Sequence, residues 1–180
     1  GKTIAWNGNV MRPKLLRVEP PGDFPTHLKR GDGRGPIDFS LTSSRGPNPV
    51  YSIGDKLYVV ITIDQDAWVY CYYRQSDGQW LTIFPNEFHA NALLAGNQLH
   101  TIPDDTYKFE FTITEPTGIE FIKCFAVDRD VTAELPASFR PQEMKLLPPG
   151  SDFKLLDVFR KIRNVGMTPA SLIITVEKQN

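Results

Sequence analysis

Tyr51-Ser52-Ile53-Gly54-Asp55, Lys56-Leu57-Tyr58-Val59-Val60-Ile61-Thr62-Ile63, Asp64-Gln65-Asp66 and Ala67-Trp68-Val69-Tyr70-Cys71-Tyr72-Tyr73 form the stretch that decides the fold. Its two apolar runs are rich in β-branched and aromatic residues, the side chains that suit a pleated, half-buried surface, and a short acidic turn separates them. That pattern predicts a hairpin. Asp77-Gly78 follows, a dipeptide that accepts the positive backbone angles of a tight turn. It leads into Trp80-Leu81-Thr82-Ile83-Phe84, where Pro85 ends the ladder because it has no N–H to donate. A third antiparallel strand is expected there.

Further along, residues 86–106 read as an ordered loop holding one short strand, Leu99-His100-Thr101-Ile102. Tyr107-Lys108-Phe109-Glu110-Phe111-Thr112-Ile113 alternates strictly, Glu115-Pro116-Thr117-Gly118 turns the chain, and Ile119 to Val127 is the next strand. Short strands at this spacing, without amphipathic helices between them, argue against a parallel βαβ sheet. The expected fold is mainly β: an immunoglobulin-like antiparallel sandwich of two sheets with one C-terminal helix. The helix is expected over about 152–163. Ser151 is placed as its N-cap, Leu155, Val158, Phe159 and Ile162 form one apolar stripe, and Arg160, Lys161 and Arg163 precede Gly166. A final strand is expected over about 171–177.

Before this, residues 1–36 form a Pro/Gly-rich arm in which regular structure must be short, and the sandwich domain is expected over 37–180. Ile37 to Thr42 alternates as an edge strand would. Trp6, Leu15, Leu16 and Phe24 are costly to leave in water, so the arm is expected to pack on its own domain or on a partner. With 41% hydrophobic and 23% charged residues in 180, the composition is that of a globular protein with one core. The net charge of −1 conceals a division. Residues 1–49 carry eight basic and four acidic groups, residues 51–130 five and twelve, and residues 131–180 seven and five. Basic residues so dispersed around an acidic centre argue against a nucleic-acid partner. No apolar run reaches the ~18 residues of a membrane helix. No export signal opens the chain, whose leading Gly1 is consistent with earlier trimming.

Tyr51-x-x-Gly54-Asp55, the Trp68–Tyr73 strand, Asp77-Gly78, Phe84-Pro85-Asn86, Asn91, Gly96, Ile102-Pro103 and Gly118-x-Glu120-x-Ile122-Lys123 together resemble a bacterial domain of unknown function. That domain is often attached to lipoproteins resembling curli-secretion pore subunits, to serine/threonine kinases or to caspase-like peptidases, commonly on the extracytoplasmic side. The resemblance covers about residues 37–130. It implies a β-sandwich accessory module in the periplasm or outer envelope, and brings no catalytic residue with it.

Cys71 and Cys124 are the two cysteines. With Arg74 and Lys123 facing solvent, alternation turns Val69, Cys71 and Tyr73, and Ile122, Cys124 and Ala126, into one core, where the sulfurs form either a disulfide or two buried thiols. No CxxC or histidine pair accompanies them, so no metal is expected, and His27, His89 and His100 lack ligand spacing. Asp55, Asp64, Asp66, Asp77, Asp104 and Asp105 fall at turns. Local backbone hydrogen bonding explains them better than Ca²⁺ does. No Gly-x-Ser-x-Gly elbow or phosphate-cradling loop is present, so neither catalysis nor a cofactor is expected.

The binding candidates are Trp68, Tyr70, Tyr72 and Trp80, with Asn86 and Asn91 in the loop. Trp68, Tyr70 and Tyr72 share a face with Arg74. Exposed, they would make a platform for a peptide or glycan; the alternative, which the arm's need for shelter favours, is coverage by the arm or the C-terminal helix. The expected function is a non-catalytic interaction module of a bacterial cell-envelope protein, engaging another protein through the aromatic face, a sheet edge or the arm. The alternative is a small-ligand or carbohydrate sensor using the 85–103 loop; a hydrolase ranks below both.

Overall fold

A computed structural model describes residues 2–6, 11–13, 36–141, 144 and 146–178. Leu15, Leu16 and Phe24 of the arm lie outside the described residues. The strands are β1 (Lys2–Trp6), β2 (Met11–Pro13), β3 (Phe39–Ser43), β4 (Val50–Ser52), β5 (Lys56–Leu57), β6 (Val59–Ile63), β7 (Ala67–Arg74), β8 (Trp80–Phe84), β9 (Leu93–Leu94), β10 (Gln98–Ile102), β11 (Phe109–Thr112), β12 (Gly118–Val127) and β13 (Met167–Glu177). The α-helix, α1, spans Ser151–Arg160.

The fold is mainly β and sandwich-like, with its strands in three hydrogen-bonded sheets. The largest runs β4-β13-β12-β7-β8, with β9 also pairing β7. The other two run β10-β6-β3 and β2-β1-β11-β5. The run from Lys56 to Ile63 serves both smaller sheets: β5 pairs with β11, β6 pairs with β10 and β3, and the change falls at the exposed Tyr58. Most pairs are antiparallel, while β1 with β11 and β13 with β4 are parallel. The arm therefore contributes two strands to a sheet that its composition did not assign to it.

Alternation fills the space between the layers. Leu57, Val59, Ile61, Ile63, Phe109 and Phe111 from the smaller sheets meet Val69, Cys71, Tyr73, Ile122, Cys124, Leu172 and Ile174 from the largest, all buried. Cys71 and Cys124 lie directly opposite one another on β7 and β12, with Cα atoms 4.1 Å apart, and are joined by a disulfide. In the chain-entropy description, closing a loop of this length stabilises by about 4 kcal/mol. A second core forms on the opposite face of the largest sheet. There Leu155 and Phe159 of α1 pack on Tyr70, Tyr72, Phe125 and Val127.

Four expectations are corrected. The turn Asp64-Gln65-Asp66 does not close a hairpin: β6 and β7 belong to different sheets, so the chain crosses there from one layer to the other. The crossing is clamped, because Asp64 Oδ1 accepts from Asp38 N at 2.9 Å and Asp66 Oδ1 from Gly96 N at 2.8 Å. Gly96 itself packs so closely that a Cβ there would lie 2.3 Å from the Gln65 backbone. Ser151 is the first residue of α1 rather than its cap. Gly150 holds the cap position with φ 77°, and the Ser151 hydroxyl donates to the Pro148 carbonyl. The helix also ends at Arg160, and β13 starts at Met167, earlier than expected. β13 gains that length because all of it from Met167 to Val176 pairs with β12.

Candidate functional site

The outer face of the largest sheet holds the residues singled out in the sequence. Tyr70 and Tyr72 share that face with Arg74 and are buried, so of the two readings, an exposed platform or a covered face, the structure shows the covered one. Their covering, among the described residues, comes from α1 and from Val131, Leu135 and Phe139. Phe159 stacks on Phe125 with centroids 4.1 Å apart and lies 5.7 Å from Tyr70 and 6.2 Å from Tyr72. Both phenols find partners: Tyr72 donates to the Phe139 carbonyl at 3.0 Å, and Tyr70 donates to Asp130 Oδ1 at 2.8 Å while accepting from Val131 N. Burial pushes both hydroxyl pKa values up. At Asp130 burial acts in the same direction, but the hydrogen bonds from Thr132 and Tyr70 outweigh it and hold the carboxyl below its usual range. Trp80 is buried at one side of the cluster and Trp68 half-buried against it.

The 85–103 loop is built from its own contacts. Asn86 is buried; its amide donates to the Ile83 carbonyl at 2.8 Å, and its Oδ1 accepts from Phe88 N and His89 N. Its carbonyl oxygen and one amide N–H thus serve the turn, which makes Asn86 an organiser of the loop rather than a ligand contact. Asn91 Oδ1 likewise accepts from Leu93 N at 3.0 Å. His89 stacks between Phe84 and Tyr107, centroids 5.6 and 4.3 Å away, and burial depresses its pKa against the pull of Asp104. Phe109 continues the stack, and Phe111 meets Phe109 edge-on. The turn aspartates behave as local acceptors too, as with Asp55 from Ser52 N, Asp77 from Gln79 N and Asp104 from Thr106 N. The Arg45 guanidinium beside Asp55, aided by the Ser52 bond, lowers that carboxyl's pKa.

What α1 leaves uncovered on the same face is a second, different surface. Trp80 on β8 opposes Arg74 on β7, Arg74 opposes Phe121 on β12, and Phe121 opposes Ile173 on β13. These four side chains form a row across four strands, roughly 14 Å long at a strand spacing of about 4.8 Å. Arg74 lies over the Phe121 ring at 5.6 Å. On one side of the row stand Lys123 and Ser171, which with Trp80, Arg74 and Phe121 line an open hollow. On the other, Ile119 opposes Thr175 and Thr175 opposes Val50. Val50, Ile119 and Ile173 are 49%, 48% and 51% exposed, so neighbouring strands present one apolar patch to solvent. A second hollow, lined by residues 77–80 and 146–151, shares the Trp80 wall.

Glu120 escaped the sequence reading. It is buried on the inner face, bonded to the Tyr73 hydroxyl and accepting from Ser76 N at 3.3 Å. Burial raises its pKa to about 7 despite those bonds. The signal was in the alternation that sends Ile122 and Cys124 inward, since the same phase places Glu120 there.

Residues 50–130 match a family model described as Domain of unknown function (DUF4384). The matched segment runs from β4 through β12 and excludes α1 and β13. No curated protein and no solved structure matches the chain. Among the described residues, no helix is long and apolar enough to cross a membrane.

Proposed function

We propose that the domain is a non-catalytic interaction module of a bacterial cell-envelope protein, and that it binds another protein through the uncovered half of the outer face of its largest sheet. One observation carries this reading. On a single sheet face, α1 shelters Tyr70, Tyr72 and Phe125, while Ile119, Ile173 and Val50, on the same face a few residues away, stand about half exposed. A face whose covered half needs an apolar stripe to shelter it leaves the remainder as the natural seat for a second element. Several polar groups support the same reading: Asp55, Asp66, Asp77 and Asn86 are engaged by backbone groups, which leaves them as architecture rather than reagents. The buried disulfide supports an oxidising, extracytoplasmic setting, since thiols in reducing compartments are rarely paired.

The test is capture of partners by immobilised domain from envelope extract of the source cells. Wild type and a Leu99→Asp variant, altered at an exposed residue of β10, are expected to retain the same protein. Ile119→Asp with Ile173→Asp is expected to lose it while keeping the wild-type circular dichroism spectrum. Equal capture by all three discards the outer face as the interface.

A further inference from the structure

We infer that Glu120 is a proton-operated latch beneath the uncovered half of the outer face: while its carboxyl is protonated, this end of the sheet is closed and Ile119 and Phe121 are held in place, and loss of the proton opens it and releases the partner. Only the last step rests on the reading of this face as the interface. The geometry begins with an asymmetry in β12. From Phe121 onward its residues lie between β7 and β13, whereas Gly118, Ile119 and Glu120 pair with β13 alone. Where β7 stops, Glu120 supplies a contact in its place: it is 2% exposed, bonds the Tyr73 hydroxyl and accepts from Ser76 N at 3.3 Å. The Ser76 hydroxyl in turn donates to the Thr117 carbonyl at 3.0 Å, and Gly118 passes so near that a Cβ there would lie 2.8 Å from Ser76 Cβ. One carboxyl thus ties the end of β7 and the turn after it to the strand that presents Ile119 and Phe121.

Among the described residues that act on this carboxyl, none is a cation. Tyr73 on β7 is a buried phenol, Asp77 in the turn is a like charge, and Ile174, opposite Glu120 on β13, is apolar. Tyr51 on β4, which acts on Tyr73, is also buried, and its hydroxyl has no hydrogen-bond partner among the described residues. Arg74 and Lys123, nearby in the sheet, stand on its outer face, Arg74 over the Phe121 ring, and Lys56 of the smaller sheet is taken by Glu110. In such surroundings a carboxylate is far costlier than a carboxylic acid. In water the group ionises around its ordinary 4.5, in the closed junction only around 7. Opening therefore gains driving force as pH rises from the first value, and the gain levels off above the second. The proton goes to water, and the carboxylate it leaves draws water in beside Tyr73.

The experiment is native-state hydrogen exchange of the ¹⁵N-labelled full chain in low urea. At pH 8 the wild-type amides of Ser76, Ile119 and Phe121 are expected to exchange through an opening that urea does not promote, while those of β6 exchange through one that it does. Glu120→Gln, which keeps a neutral donor and acceptor in the same place, is expected to lower the opening constant at the three amides at least about tenfold at pH 8 and by much less at pH 5. Exchange there that follows urea as steeply as in β6, or that is equal in the two proteins at pH 8, overturns the latch. Capture from envelope extract then reads the last step: wild type is expected to hold its partner at pH 6 and lose it at pH 8, and Glu120→Gln to hold it at both. Wild-type capture that is the same at both pH values overturns the link to the interface. Retention by the Ile119→Asp, Ile173→Asp variant overturns the interface itself and leaves the latch, which exchange reads without a partner.

Discussion

Ionising Glu120 puts a charge beside Tyr73 in the interior, and the cost appears as a pH dependence of stability. The folded pKa, about 7, lies above the ordinary 4.5, so between those values the folded chain holds a proton that the unfolded chain releases. Stability from this group is therefore intact below about pH 4.5 and falls as pH rises to 7, by roughly 3 kcal/mol in all. Glu120→Gln removes the titration and keeps an acceptor for Tyr73. Urea unfolding should find the variant more stable than wild type by up to that amount at pH 8 and equal to it near pH 4; an identical difference at both pH values would contradict the assignment. The other groups around it are Tyr73, Ser76, Asp77 and Tyr51, and His89, elsewhere, cancels in the comparison. At this scale the sequence revealed side-chain direction well: one alternation turned Cys71 and Cys124 into one core and Tyr70 away from both, while their direct opposition came from register. It hid Glu120 because a charged residue in a strand reads as outward-facing until the phase of its neighbours is allowed to overrule it.

Helix α1 shows the strengths and limits of the same reading for whole elements. Its stripe of Leu155, Val158, Phe159 and Ile162 was legible from spacing alone, and its seat on the outer face follows, because Tyr70, Tyr72 and Phe125 need cover. Its start was not legible, since the serine that looks like a cap instead bonds back to Pro148 and a glycine takes the turn. Likewise Asp64-Gln65-Asp66 carries the chemistry of a hairpin turn and of a crossing between layers equally well. What decides between them is the pairing of β6 with β3 and β10, contacts distant in sequence. Phe159→Ala is expected to cost about 3–5 kcal/mol, because it empties the centre of a four-ring cluster. Binding of a hydrophobic dye should rise as Tyr70 and Tyr72 lose their cover. A variant with unchanged stability and dye binding would mean that α1 does not shelter this face.

Across the whole molecule, the order of strands explains why the matched family segment is only part of the folding unit. β13 lies between β4 and β12, so the sheet that carries the proposed interface closes through a strand beyond residue 130, and Ile173 on that strand supplies part of the apolar patch. The sandwich class was legible from strand spacing, but the division into three sheets and the parallel seat of β1 beside β11 were not, because pairing between distant strands leaves no local trace. The patch was illegible for a related reason: Val50, Ile119 and Ile173 belong to separate stretches and become neighbours through register. The most direct measurement of the central claim is site-specific photo-cross-linking in the source cells, with the reactive group placed at position 173 or, as a control, at the more exposed position 99. The account predicts one dominant adduct to another protein from position 173 and none from 99; adducts of equal yield from both positions, or from 99 alone, would contradict it.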